Sequence, residues 1–282
     1  MNEKYAFIIG KGDLPYRLIE VALNNKLNFV IAGIKSYSPR LLVNKYDHFW
    51  FNMGCLNDLL NNLSSRGIKK VVLVGSINRP SLLSLKVDDL GKEFVKKFFS
   101  QIGGDDSLLK IVYNFFIEQG IECVPIQSID PSILAQEKLY TNVVPKEENI
   151  EDIIKGFNTA KELSKLDIGQ SIIFQQNIVI SVEAVENTKA MILRSKKLIK
   201  KHNPKAILVK TSKINQNMFL DVPTIGDKTI LQAKKVNLAG IVIEAGKTII
   251  LNQEKTVALA NKYNIFLIAL KHNNLDMIKN LL

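Results

Sequence analysis

Residues 5–15, YAFIIGKGDLP, set an apolar run against a glycine turn and a proline-opened helix. A strand apolar on both faces that turns directly into a helix is the first half of a βα unit. Gly10 and Gly12 carry no side chain, so backbone N–H groups of GKGDLP (10–15) can approach a phosphate or a sugar closely. The other reading is a plain βα turn with Leu14 and Pro15 opening the helix, because proline suits the first helical position. The third glycine of the dinucleotide fingerprint is absent, and both readings stay open.

The same run recurs at FVIAGI (29–34), VVLVGS (71–76) and IECVPI (121–126), with helix-length segments at 15–25, 57–67, 88–100 and 106–120. In the last segment Leu108, Leu109, Val112, Phe115 and Phe116 keep helical spacing and Gly120 ends it. Short apolar strands alternating with helices predict a parallel sheet covered on both faces. Residues 1–135 are therefore expected to form an open, doubly wound (Rossmann-like) domain. Residues 136–150, QEKLYTNVVPKEENI, are polar and aperiodic and read as a linker. Residues 151–282 read as a second α/β domain, with helices near 151–165, 188–201 and 253–263 and strands at 205–211, 239–246 and 265–270. QSIIFQQNIVISVEA (170–184) reads as two strands around a Gln-Asn turn, so this second sheet is expected to be mixed.

The composition excludes several classes. With 282 residues, 46% hydrophobic and 23% charged, the chain is an ordinary globular one with room for two domains. No apolar run approaches the roughly 20 residues that span a bilayer. The start carries no signal-peptide pattern, and two cysteines, Cys55 and Cys123, fit a reducing compartment, so a cytoplasmic location is expected. His48, His202 and His272 show no ligand spacing. The formal charge of +11 comes almost wholly from dispersed lysines. Nucleic-acid surfaces cluster arginine and aromatic residues, so no nucleic acid is expected, and an anionic substrate or membrane surface fits better.

Loops at the carboxyl ends of parallel strands bind ligands. VGSINRPS (74–81) offers Arg79 there, and its alternative is a surface arginine. IGGDDSLL (102–109) opens a helix with Gly103, Gly104, Asp105 and Asp106; one acid can cap, and the rest suits sugar hydroxyls or a base. VEAVENTKAMILR (182–194) carries Glu183, Glu186, Thr188 and Arg194, with Asn187 as the helix cap; Glu186 reads as an acid facing a metal or supporting one that does, and an edge strand running into a capped helix is the plainer alternative. Residues 208–229, LVKTSKINQNMFLDVPTIGDKT, place Lys210, Lys213, Gln216 and Asp221 in one loop. Lysines bind phosphate as point charges and a carboxylate can hold Mg2+, which suits chemistry on a pyrophosphate. A solvated Asp-x-Pro turn at Asp221 is the plainer alternative.

In order and spacing, GKGDLP, VGSINRPS, IGGDDSLL, LDIGQS (166–171), VEAVENTKAMILR and DVPTIGDKT (221–229) resemble the UDP-2,3-diacylglucosamine pyrophosphatases of the LpxI type, from lipid A biosynthesis. The resemblance spans nearly the whole chain. It implies two α/β domains with substrate between them and Mg2+-dependent hydrolysis of UDP-2,3-diacylglucosamine to UMP and 2,3-diacylglucosamine 1-phosphate (lipid X). It also implies catalytic roles for Asp221, Gln216 and Lys210, with Asp221 and Glu186 at the metal. Substrate contacts are then expected at Gly10, Gly12, Leu14, Pro15, Arg79, Gly103, Gly104, Asp105, Asp106, Thr188, Lys213, Thr224 and Gly226. A homodimer and peripheral contact with the inner-membrane surface are expected partners.

The match is uneven. An EGTDA-like pattern falls on Glu186, Asn187, Thr188, Lys189 and Ala190, and a QDxRxDxP-like pattern on residues 216–223. Lys189, Asn217 and Phe219 stand where an acid, an acid and an arginine are expected, which reverses a charge, removes a hard metal ligand and removes a bidentate phosphate contact. A nucleotide-sugar-lipid binding protein on the same fold is the alternative these departures support. A nicotinamide-dependent oxidoreductase ranks below it for want of GxGxxG.

Overall fold

The computed structural model describes residues 3–77, 86–100, 105–166, 168–200, 204–213 and 222–281, with side chains left out at 97–100, 105–108, 280 and 281. The chain divides into two compact units, Met1–Pro131 and Ser132–Leu282.

The first unit is a five-stranded sheet built from β1 (Lys4–Ile9), β2 (Asn28–Ile34), β3 (His48–Phe51), β4 (Lys70–Val74) and β5 (Glu122–Cys123). The order is β3-β2-β1-β4-β5 and every pairing is parallel. Helices α1 (Leu14–Asn24), α2 (Arg40–Val43), α3 (Leu56–Ser65), α4 (Asp89–Ser100), α5 (Asp105–Glu118) and α6 (Ile126–Ile129) connect or follow the strands. Phe7, Ile9, Ile31, Val72 and Val74 pack with Leu18, Ile19 and Ala22 of α1. The alternate residues Ala6, Ile8, Val30, Ala32 and Val71 are buried as well, so both faces are covered, as a parallel sheet requires. This is the expected doubly wound arrangement. Strand β3, HFWF, was absent from the sequence reading: it is a four-residue edge strand whose His48 and Trp50 are only half-buried.

Burial pushes the Cys123 thiol from its ordinary value of 9.0 up to about 12. A thiol kept neutral is unreactive. At pH 8 a maleimide is expected to label Cys55, which is half-buried, and to reach Cys123 only after denaturation. Mass spectrometry of the folded protein showing two labels would contradict this packing.

The second unit adds β6 (Lys138–Leu139), α7 (Glu147–Lys165), β7 (Ser171–Gln175), β8 (Ile178–Val182), α8 (Asn187–Ser195) and β9 (Ile207–Lys210). It continues with β10 (Thr224–Ile225), α9 (Asp227–Lys235), β11 (Gly240–Glu244), β12 (Ile249–Ile250), α10 (Gln253–Lys262), β13 (Phe266–Leu270) and helical turns over His272–Leu281. Its six-stranded sheet runs β6-β13-β11-β9-β7-β8. Strands β9, β11 and β13 are parallel, whereas β6 and β7 oppose their neighbours, so the sheet is mixed. The β7–β8 hairpin turns at Gln176 and Asn177, both with positive φ (51° and 61°), the conformation of a two-residue hairpin turn. Asp152 of α7 accepts from both of their backbone N–H groups at 2.8 and 2.7 Å.

Two differences from the sequence reading concern boundaries. The stretch 136–150 contains β6 and the start of α7, because Lys138 and Leu139 pair with Ala269 and Ile268 at the sheet edge. Helix α8 ends at Ser195, whereas the lysine-rich sequence after it suggested helix to 201.

Period-two alternation divides the core of this unit. Ile173, Leu208, Ile241, Ile243, Leu267 and Ala269 face Met191, Ile192, Ile230, Ala233 and Ala260 of α8, α9 and α10. Ile172, Phe174, Ile207, Val209, Val242, Phe266, Ile268 and Leu270 face Ile153, Phe157 and Ala160 of α7 and the C-terminal Leu275 and Ile278.

Candidate active site

The last residues of β8, β9 and β11 and the first of β7 share one edge of the second sheet, since Ser171 pairs with Lys210 and Lys210 with Ile243. Alternation sends their side chains to opposite faces. Lys210 has the parity of Leu208 and projects to the α8 side; Glu244 has the parity of Val242 and projects to the α7 side.

On the α8 side, Lys210 Nζ donates to Thr188 Oγ1 at 2.9 Å. The Thr188 hydroxyl donates in turn to Glu183 Oε1 at 2.6 Å, and Ser171 Oγ lies 3.5 Å from it. Glu183 stands one residue past β8, where its backbone N–H still donates to the Ser171 carbonyl at 2.8 Å. Its other oxygen, Oε2, is buried and without a hydrogen-bond partner among the described residues. A buried carboxylate oxygen left open is costly unless a donor or cation meets it. The array therefore combines one ammonium, a hydroxyl relay and one open carboxylate oxygen, a set suited to a phosphate and a hard cation.

Gly169 holds Glu183 in place by its lack of a side chain: a Cβ there would stand 2.0 Å from the Glu183 carbonyl oxygen. Asn187, at the start of α8, has φ +72°, a conformation open to glycine and asparagine but poorly to other residues. Asparagine at this point in the EGTDA-like pattern thus fits its backbone. Its Oδ1 accepts from the Ala190 N–H at 3.2 Å, the cap expected of it.

Glu186 lies elsewhere. It pairs with Arg194 at 2.7 Å, and its own backbone N–H together with the Arg194 guanidinium holds its carboxyl below the usual carboxylate range. Glu183, named in the sequence only as a member of the block, is the acid that lies beside Thr188, whereas Glu186, expected at a metal, faces Arg194. Parity was the available signal: Glu183 shares the strand face of buried Ser181. Lys189 is exposed. Lys213 follows the edge and is half-buried. Thr224 and Gly226 belong to the small β10–β12 pair and the start of α9: Thr224 pairs with Ile249, and the Gly226 N–H donates to Thr229 Oγ1 at 3.3 Å. Gln216 and Asp221, with Asn217 and Phe219, lie outside the described residues. Among the described residues no group of three or more His, Cys, Asp and Glu could hold a metal.

In the first unit Gly10 and Gly12 sit between β1 and α1, and Leu14 and Pro15 open α1, at the point where strand order reverses. The turns after β1 and β4 are tied by Lys11 N–H to Ser76 O at 2.8 Å and Ser76 N–H to Lys11 O at 2.9 Å. A Cβ on Gly10 would stand 2.5 Å from the Ser76 carbonyl oxygen, so close backbone approach explains this glycine without a ligand. Gly12 is different: its φ is +103° and nothing lies within 4 Å of a Cβ built there. Arg79, Gly103 and Gly104 lie outside the described residues, as do the side chains of Asp105 and Asp106, which begin α5.

Residues 4–133 match the LpxI N-terminal domain and residues 136–268 the LpxI C-terminal domain. The chain belongs to the LpxI family. UDP-2,3-diacylglucosamine pyrophosphatase LpxI of Caulobacter vibrioides is 29% identical over 271 residues, covering 94% of this chain and 96% of that protein. Among solved structures, N5-carboxyaminoimidazole synthase from Aspergillus clavatus with ADP and 5-aminoimidazole ribonucleotide matches at 13% identity, over 71% of this chain and 37% of that one. Its TM-score of 0.26 is too low to bear on this site. Membership in the LpxI family rests on both domains in order.

Proposed function

We propose that this chain hydrolyses the pyrophosphate of UDP-2,3-diacylglucosamine to UMP and 2,3-diacylglucosamine 1-phosphate, with Mg2+. The observation that supports this most is the Lys210–Thr188–Glu183 array on an LpxI-family chain. Water oxygen bonds to one phosphorus and gives up a proton to solvent, the bridging P–O bond breaks, and its electron pair leaves with the departing phosphate. Lys210 faces the phosphate oxygens, where an ammonium already oriented by Thr188 needs little reorganisation as charge develops. Thr188 and Glu183 orient that ammonium. The open Oε2 of Glu183 fits a cation, and Asp221, assigned from the family pattern, joins it there or orients the water. Bound Mg2+ would supply neutralisation of charge on the phosphate oxygens.

Exposed Leu166, Ile168 and Val185 lie on the two connections that Gly169 and Glu183 bring together. Aliphatic side chains beside such an array suit acyl tails or the bilayer that presents them, which supports peripheral membrane contact. Homodimerisation belongs to the same proposal and is read by light scattering. Exposed Lys189 in place of an acid favours one second reading, a binding protein that keeps the ligand and lacks turnover.

The test incubates purified protein with UDP-2,3-diacylglucosamine, with and without Mg2+, beside an Asp221→Asn variant. Mass spectrometry is expected to show UMP and lipid X only with Mg2+, and little of either from the variant. Retained lipid without turnover in the wild type would select the binding protein instead.

A further inference from the structure

Behind the α8-side array lies a second charged cluster that the reaction does not touch. Lys161, on the last turns of α7, donates from Nζ to both oxygens of Glu244 at 3.1 and 3.0 Å and to the Ser212 carbonyl at 3.0 Å. Glu244 Oε2 also accepts from the Ser212 N–H and the Ser212 hydroxyl, each at 2.8 Å. Ser212 Oγ stands 3.4 Å from Lys161 Nζ. All three residues are buried, at 8%, 7% and 4% exposure.

The geometry is that of a clamp on one residue. Strand β9 ends at Lys210, and the last ladder contact beyond it is the Thr211 N–H to the Gln170 carbonyl at 2.9 Å. At Ser212 the chain leaves the sheet, and its N–H, carbonyl and hydroxyl are all met by Glu244 and Lys161 instead of by a neighbouring strand. The residue so fixed is two positions after Lys210 and precedes the segment that carries Asp221. A buried ion pair adds little stability over an apolar pair of similar shape, because desolvation of both charges offsets their attraction. What it does add here is direction: backbone and side-chain atoms of one residue are held at once.

We propose that Lys161 and Glu244 are positioning residues, which fix Ser212 and thereby set the height of Lys210 at the end of β9. This rests on the pyrophosphatase reading for its kinetic consequence, though not for the clamp itself. Neither residue touches substrate. They act through the backbone at 210–213, at the opposite face of the sheet from Thr188.

The experiment uses the full-length chain with Lys161→Met and Glu244→Leu together, so that no lone charge is left buried. The double variant leaves the buried Ser212 N–H, carbonyl and hydroxyl without these partners, so it is expected to stay folded with a lowered melt. Its kcat, read well below that melt, is expected to fall about 10- to 100-fold, the cost of misplacing a catalytic group by an ångström or less. KM is expected to stay within about threefold, because uniform binding is untouched. Lys161→Arg, which keeps a charged donor, is expected to recover part of kcat. In parallel, amide hydrogen exchange over residues 208–213 is expected to quicken at least about tenfold in the double variant, with β11 unchanged. A double variant with wild-type kcat, or with unchanged exchange at 208–213, overturns the clamp. An inactive wild type overturns the pyrophosphatase reading instead, and the exchange measurement still decides the clamp.

Discussion

Lys210→Met is expected to lower UMP release by about 100- to 1,000-fold, the cost of removing one preorganised donor from a developing charge. Methionine keeps the length and the apolar stem, and strand β9 is bonded on both sides through backbone groups, so the fold is expected to persist. The loss should therefore fall on the ammonium. Among the described residues Lys210 is the amine that donates to Thr188, and in the variant Glu183 would face an uncharged neighbour across the threonine hydroxyl. Initial-rate measurements of UMP release, with a thermal melt as control, check this. A loss below about fivefold with an unchanged melt would remove Lys210 from the transition state. A loss confined to KM would mean that Lys210 holds substrate and product alike, contrary to its assigned role.

The prediction concerns a residue that the sequence put in a phosphate-facing loop over 208–229, and the structure sets it at the end of strand β9. Lys210 ends the apolar run KAILVK, and a charge at the end of a buried parallel strand has few reasons other than a ligand or a partner. Strands β1, β2 and β4 were legible for the same reason: buried on both faces, they read as unbroken apolar runs. The β7–β8 hairpin was legible from Gln176-Asn177, whose turn tolerates positive φ.

Glu183 and Glu186 show the limit. Both are acids in one block, three residues apart, and composition cannot choose between them. The choice depends on where β8 stops and on Arg194 reaching back to Glu186, which are tertiary facts. Gly10 keeps both readings open, since a glycine free to approach phosphate is equally free to approach Ser76. Lys161 left a fainter trace. It follows Ile153 and Phe157 at four-residue steps along the apolar stripe of α7, where a lysine is out of place unless paired. Its partner Glu244 closes GIVIE, 83 positions away, and no local pattern links the two.

Phe157→Ala is expected to destabilise the second unit by about 3–5 kcal/mol, the usual cost of emptying a fully buried phenylalanine site. Phe157 has no exposed surface and packs with Ile153, Ile172, Phe174, Ile207 and Val209, between α7 and the sheet. Its ring stacks on His272 with centroids 5.9 Å apart and planes at 19°, which joins the C-terminal turns to the same core. Ile172, Phe174, Ile207 and Val209 belong to β7 and β9, strands paired on both sides, so the cavity cannot close by simple collapse. For a unit of this size the loss corresponds to a midpoint about 6–20 °C lower. Calorimetry should show the shift in the transition of the second unit alone, since Phe157 has no part in the first core. Lys161 lies four residues further along the same helix stripe, so α7 must stay seated for its ammonium to meet Glu244. Turnover by the variant should hold at low temperature and fail on warming ahead of unfolding of the first unit. A midpoint within about 2 °C of the wild type would instead mean that α7 is seated by its polar contacts to Ser212 and to the Gln176–Asn177 turn more than by its apolar face.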